Sequence, residues 1–294
     1  MRNKILDVNI DFFMTVDDVL DQVGSYVVKD DAKSTLLCTT NPYFIISALK
    51  DTEFKDIINN AFLSVPDGVG VLYANYYLKN IANLKHNILF PVKAFLIGLG
   101  TATLGYLNRK ELGKTITGVE LTDKICKLAS QKNYTVFFLG GRLRNKKGET
   151  LDYNYDMATN AKEIMEKKYP GLNVIGATSK FSREEKDDAK TIAYIKDCMK
   201  KAGINKIDFL FVAYNPVDQE KWINRNAQKI PAKMSLGIGR VFDYITNTMQ
   251  QPPVILEKLH LGWLYAFIYQ PWRIRRILMT FPTFPIKVFL KSLK

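Results

Sequence analysis

A chain of 294 residues, 47% hydrophobic and 24% charged, can bury a sizeable core and is too apolar to be disordered. Its three cysteines, odd in number and far apart, exclude a disulfide framework and suit small buried thiols in a reducing compartment. A net charge of +13 points to an anionic partner: nucleic acid, an anionic membrane face or a phosphate-bearing ligand.

The N-terminal MRNKILDVNIDFF lacks a long apolar core followed by a small-residue cleavage site, so a cytoplasmic protein without a signal peptide is expected. From there short apolar runs alternate with longer stretches of helical period. Strands are predicted over 5–10, 35–39, 61–65, 135–139, 173–177, 208–212 and 234–238. Helices are predicted over 16–28, 42–49, 68–79, 121–131, 160–168, 183–201 and 219–228. The alternation implies an α/β fold with a largely parallel sheet, whose ligands collect at the carboxyl ends of the strands. Asp67, Gly140, Gly141, Asn215 and Gly239 all follow predicted strands and are expected along that edge.

Segment 86–107, HNILFPVKAFLIGLGTATLGYL, breaks the pattern with a single charge, Lys93. It is nearly long enough to cross a bilayer. A crossing would put strands of one sheet on opposite sides of the membrane. An apolar insert resting on the membrane or lining an acceptor groove is therefore preferred, with an extra buried helix pair as the bland alternative. Pro252 and Pro253 mark a boundary between residues 1–251 and a tail, 252–294. From Glu257 onward that one acid faces Lys258, Arg273, Arg275, Arg276, Lys287, Lys291 and Lys294, interleaved with aromatic residues. This mixture favours a membrane headgroup region over RNA.

Three glycine pairs begin at Gly68, Gly98 and Gly237, but none completes GxGxxG, because Tyr73, Thr103 and Phe242 stand at the last positions. The histidines are His86, in the apolar insert, and His260, in the tail, so a Ser-His or Cys-His mechanism has little to draw on. No Asp-x-Asp pair is present to hold a metal against a diphosphate, which leaves helix N-termini and basic side chains for that charge. Asp67, in SVPDGVGV, has two readings of equal weight: the N-cap of the helix that follows, or a carboxylate placed to take a proton from a sugar hydroxyl.

Several segments, taken in order, decide between them. TTNPYFI at 39–45, SVPDGVGV at 64–71, KTITGVEL at 114–121, VFFLGG ending at Gly141, YPGLNVIGA from Tyr169, DQEKWINRN from Asp218, GIGRVFDY from Gly237 and GWLYAFIYQPWRIRR from Gly262 together resemble the WecG/TagA/CpsF glycosyltransferases. The resemblance covers most of the chain. It implies a Rossmann-like glycosyltransferase domain over 1–251 and a basic aromatic membrane-binding appendage over 252–294. It also implies inverting, metal-independent transfer of an N-acetylmannosamine-type sugar from a UDP donor to a polyprenyl-diphosphate-linked sugar, in cell-wall or surface-polysaccharide synthesis. The partners it implies are a UDP-sugar, the lipid-linked acceptor and the inner face of the cell membrane, with no nucleic acid and no cofactor; a homo-oligomer stays open.

By the same resemblance Asp67 is the expected general base, with Thr39 and Asn41 beside its pocket. Gln219 contacts substrate, and Arg273, Arg275 and Arg276 lie near the diphosphate. Gly68, Lys114, Gly140, Gly141 and Glu220 complete the expected substrate-binding set. The chain departs from the family pattern at Thr115, Glu120, Asp218, Arg240, Gly262 and Ala266. It also carries the apolar insert and a polar one near 142–156. An inactive member that scaffolds polymer assembly is the alternative, and an RNA-binding α/β protein the third reading.

Overall fold

The computed structural model describes residues 1–105, 109–144, 149–152, 154–250, 253, 256, 265, 268 and 274–294. Six strands form one fully parallel sheet: β3 (Thr35–Thr40), β4 (Leu63–Pro66), β5 (Thr135–Gly140), β6 (Asn173–Thr178), β7 (Ile207–Ala213) and β8 (Ala232–Gly237), in the order β4-β3-β8-β7-β5-β6. All six match predicted strands. They are short, apolar and buried because helices cover both faces. Successive side chains alternate between the two sides. Leu36, Cys38, Phe137, Leu139, Leu210 and Val212 enter one core cluster, while Leu37, Val136, Phe138, Phe209 and Phe211 enter the other.

On the first face lie α2 (Pro42–Ala48), α3 (Thr52–Asn59), α4 (Val69–Ile81), α9 (Glu185–Lys201) and α10 (Asp218–Asn226). The second face holds α1 (Val16–Val27), α7 (Gly118–Lys132), α8 (Met157–Lys168) and α11 (Val241–Ile245). Between α4 and α7 come α5 (Phe90–Leu104) and the single turn α6 (Arg109–Leu112). The chain ends with α12 (Ile274–Leu278), a kinked link (Met279–Thr283) in which Phe281 is extended, and α13 (Phe284–Ser292). The predicted domain boundary at 251–252 lies outside the described residues. Beyond it, Phe284 and Val288 of α13 join the same core cluster as α2 and α4.

Two expectations are corrected. The predicted strand over 5–10 is a hairpin of β1 (Arg2–Ile5) and β2 (Val8–Asp11), separate from the main sheet. Leu6 and Asp7 both take positive φ, 50° and 66°, which is the two-residue turn that matches the twist of paired antiparallel strands. Asp11 ties the hairpin to the sheet edge: it pairs with Arg2 at 2.7 Å and accepts the Ser64 N–H at 2.9 Å. The apolar segment forms one helix, α5, and not a buried pair: Phe90, Ala94 and Thr101 are buried while most of its other side chains are exposed. Among the described residues no helix is long and apolar enough to cross a membrane.

Candidate active site

A cleft of about 1690 Å³ opens at the carboxyl ends of β3, β4, β7 and β8. Asp67 lies in its wall, in the two-residue link between β4 and α4. The link is held by the Asp67 N–H, which donates to the Thr40 carbonyl at 2.8 Å, and by a buried Thr40–Ser64 hydroxyl contact of 2.7 Å across β3 and β4. The N-cap of α4 is Gly68 and not Asp67, and no side chain caps that helix. Gly68 has φ +97°, which a side chain resists, so this sharp exit needs glycine and turns the aspartate into the cleft. The cap reading of Asp67 is thereby removed.

Burial pushes the Asp67 carboxyl up to about 6, although Arg276 and a hydrogen bond from Asn41 both act to lower it. Asn41 has a double role: its Oδ1 accepts the Phe44 N–H at 3.2 Å as the N-cap of α2, and its amide reaches Asp67. Arg276 comes from α12, stacks on the Tyr43 ring at 4.9 Å and feels the Asp67 charge; burial lowers its own pKa. Thr39 lines the cleft opposite α7, its hydroxyl 3.5 Å from where a side chain on Gly118 would begin. Thr117 caps α7 by accepting the Glu120 N–H at 3.2 Å, and Thr115, Thr117, Gly118 and Glu120 all line the cleft. The positive N-terminal end of this 15-residue helix therefore faces the same space as Arg276.

Gln219 enters from α10. Its Oε1 accepts the Gly239 N–H at 2.9 Å, and its Nε2 donates to Glu220 Oε1 at 2.7 Å. Arg240, next to Gly239, also lines the cleft and pairs with Asp243 at 2.7 Å. On the opposite side the wall turns apolar, with Tyr73 and Tyr77 of α4, Phe95 and Leu99 of α5, and Phe284 and Phe289 of α13.

Of the expected site residues, Thr39, Asn41, Asp67, Gly68, Gln219 and Arg276 share the cleft. Arg273 and the side chain of Arg275 lie outside the described residues. Four others are absent from its wall. Lys114 is exposed, with neighbouring Thr115 lining the cleft in its place. Gly140 and Gly141 are buried with φ +86°; a side chain on the first would meet the Tyr214 ring at 2.8 Å and on the second the Met157 sulfur at 3.1 Å. Packing explains both glycines. Glu220 is buried too, and its carboxylate orients Gln219 rather than facing the cleft. Sequence reasoning missed Arg240, which it counts only among the departures from the family pattern, and Tyr244, which follows it by one helical turn; both line the cleft. The signal for both was their place just after the last strand.

Comparison with known proteins decides the family. The sequence model of the "Glycosyl transferase WecG/TagA/CpsF family" matches residues 3–89 and 94–294. The chain belongs to this family. Among curated relatives, an N-acetylglucosaminyldiphosphoundecaprenol N-acetyl-beta-D-mannosaminyltransferase of Bacillus subtilis (strain 168) is 22% identical over 249 residues, 85% of this chain and 77% of that protein. The enzyme of the same name from Staphylococcus aureus (strain MRSA252) is 23% identical over 274 residues, 93% and 87% of the two chains. A third, from Bacillus spizizenii, is 23% identical over 249 residues. The WecG/TagA/CpsF motifs noted in the sequence supply the cleft's β3, β4 and β8 ends and the start of α7.

Proposed function

We propose that this family member is an inverting glycosyltransferase that moves an N-acetylmannosamine-type sugar from a UDP donor to a sugar carried on a polyprenyl diphosphate, for a teichoic-acid-like cell-wall polymer. The observation that carries the reading is Asp67: a half-buried carboxylate in the cleft wall, pushed up to about 6 and facing Arg276. A carboxylate so placed can take the proton of the acceptor hydroxyl as its oxygen attacks the donor's anomeric carbon. The bond from that carbon to the diphosphate breaks, UDP leaves with the electron pair, and one displacement inverts the configuration. Arg276, Arg240 and the N-terminal end of α7 supply positive charge for the leaving diphosphate, a task that Asp-x-Asp sites give to a metal. Metal-independent transfer is therefore part of the proposal.

Thr39, Asn41 and Gln219 complete the polar half of the cleft, and its apolar half suits the first isoprene units of the acceptor. The protein would then work as a peripheral enzyme on the inner face of the cell membrane, where such acceptors reside. The test is an assay with UDP-N-acetylmannosamine and a short-chain polyprenyl-diphosphate-linked N-acetylglucosamine, with EDTA present. Transfer that survives EDTA is expected. Binding of UDP without transfer to any acceptor would favour the scaffold reading instead.

A further inference from the structure

The start of α2 makes three separate contacts around Asp67, one from each of three consecutive residues. Asn41, the N-cap, accepts the Phe44 N–H at 3.2 Å, and its amide donates to Asp67. Pro42 has a φ fixed by its ring and stands at the head of the helix. That ring is wedged against the start of α4: side chains on Gly68 and Gly70 would begin 3.9 and 3.1 Å from it. Tyr43 carries the Arg276 guanidinium over its ring, 4.9 Å from the centroid. A helix start braced in this way cannot shift without disturbing all three contacts.

Arg276 needs such a hold. Burial disfavours its charge and Arg240 repels it, while Tyr43, Asp67 and Tyr244 act to keep it charged. An arginine side chain is long and flexible, so the backbone of α12 alone does not fix where the guanidinium sits. Stacked on a ring, a guanidinium keeps its N–H donors in its own plane, where carboxylate and phosphate oxygens can reach them. Tyr43 is half-buried and lies outside the cleft wall, although Asn41, Pro42 and Phe44 on either side of it belong to that wall. Its contact is with the cation and not with the cleft. We propose that Tyr43 is a positioning residue: its ring holds the Arg276 guanidinium beside Asp67, so that one helix start places both the base and the cation that faces it. Its part in sugar transfer rests on the glycosyltransferase reading above; the coupling of Tyr43 to Asp67 through Arg276 does not.

The experiment follows the Asp67 carboxyl of the full chain by NMR titration in the wild type and in Tyr43→Phe, Tyr43→Leu and Arg276→Gln, with circular dichroism to check folding. Arg276 lowers the Asp67 pKa, so a variant that releases Arg276 raises it. The wild type and Tyr43→Phe, which keeps the ring face, should titrate together at about 6, and Tyr43→Leu and Arg276→Gln should both titrate higher. The double variant should match Arg276→Gln alone, because the ring acts only through the cation. In the transfer assay Tyr43→Leu should lose about thirtyfold in kcat/KM, the worth of a desolvated cation–π contact. Its acid limb should move up with the carboxyl, while Tyr43→Phe keeps the rate and the limb of the wild type. A folded Tyr43→Leu whose carboxyl titrates with the wild type overturns the proposal. So does a Tyr43→Phe as impaired as Tyr43→Leu, which would assign the role to the hydroxyl. Should Tyr43→Leu fail to fold, Tyr43→Met is read in its place by the same criteria. The titrations need no turnover: transfer absent from the wild type, with the carboxyl shifts as expected, rejects the function and keeps the positioning.

Discussion

Asp67 is where a general rule about buried carboxylates becomes a statement about activity and stability together. Burial raises its carboxyl to about 6 despite Arg276 and Asn41, so the folded protein holds that proton more tightly than the unfolded chain does. The stability this group contributes is thus fully present below its unfolded value near 4 and is lost as pH rises through about 6. The proposed base needs the opposite, the ionised form, so transfer should rise with pH through the same window. Asp67→Asn keeps the shape and removes the ionisation. It should abolish transfer and raise the melting temperature at pH 8, with the gain shrinking toward pH 4. Thermal melts at the two pH values beside a transfer assay check this, and turnover retained in the variant would remove Asp67 as the base. The eight residues of SVPDGVGV could not reach that point by themselves, because an N-cap aspartate and a catalytic one look the same there, and only the order of the surrounding motifs favoured the base. What separates them is the positive φ of Gly68, which moves the cap one residue on.

At the scale of elements, the six-stranded sheet was legible because strands buried on both faces are apolar throughout and are separated by long helical periods. The misreadings share one cause, tertiary context. The run over 5–10 has strand composition, and only the turn at Leu6 and Asp7 divides it. The apolar insert has the composition of a buried helix or a span, and only its seat on α4 and α13 shows which side faces outward. Glu220 stands in the DQEKWINRN motif, yet its work is mechanical. Its Oε2 accepts the N–H of Val217, a β-branched residue held at φ +77°, and its Oε1 accepts from Gln219, which in turn fixes Gly239 after β8. One carboxylate thus joins the start of α10 to the loop that carries Arg240. Burial raises this group to about 7. Glu220→Gln leaves one of two buried donors facing an amide N–H, which costs about 1–3 kcal/mol. The expected result is a lower melting temperature, a loss of about tenfold in kcat/KM, and a pH–rate profile whose remaining acid limb is that of Asp67 near 6. An unchanged profile would show that Glu220 has no link to the cleft.

For the whole molecule, the question is whether the basic C-terminal segment is a loosely hung appendage or part of the domain that holds the cleft. Two contacts speak for integration. Arg276 stacks on Tyr43 of α2 beside Asp67, and Tyr77 of α4 shares a 2.8 Å hydrogen bond with Ser292 at the end of α13. Between them Phe284 is 2% exposed and sits over Gly70, whose own backbone approaches Pro42 so closely that a side chain there would lie 3.1 Å from its ring. The junction of α2, α4 and α13 therefore closes around one phenyl ring, which also lines the cleft. Truncation of a ring so placed, Phe284→Ala, should cost about 3–5 kcal/mol. That is roughly 6–10 °C in melting temperature for a domain of this size, at roughly 2 °C per kcal/mol. Activity should fall further than stability explains, because loosening α13 withdraws the segment that brings Arg276 to Asp67. Melting curves followed by initial rates measured 20 °C or so below the variant's own transition separate the two effects. A variant that melts with the wild type would show that the tail hangs free of the core, and the cleft would then have to be complete without α12 and α13.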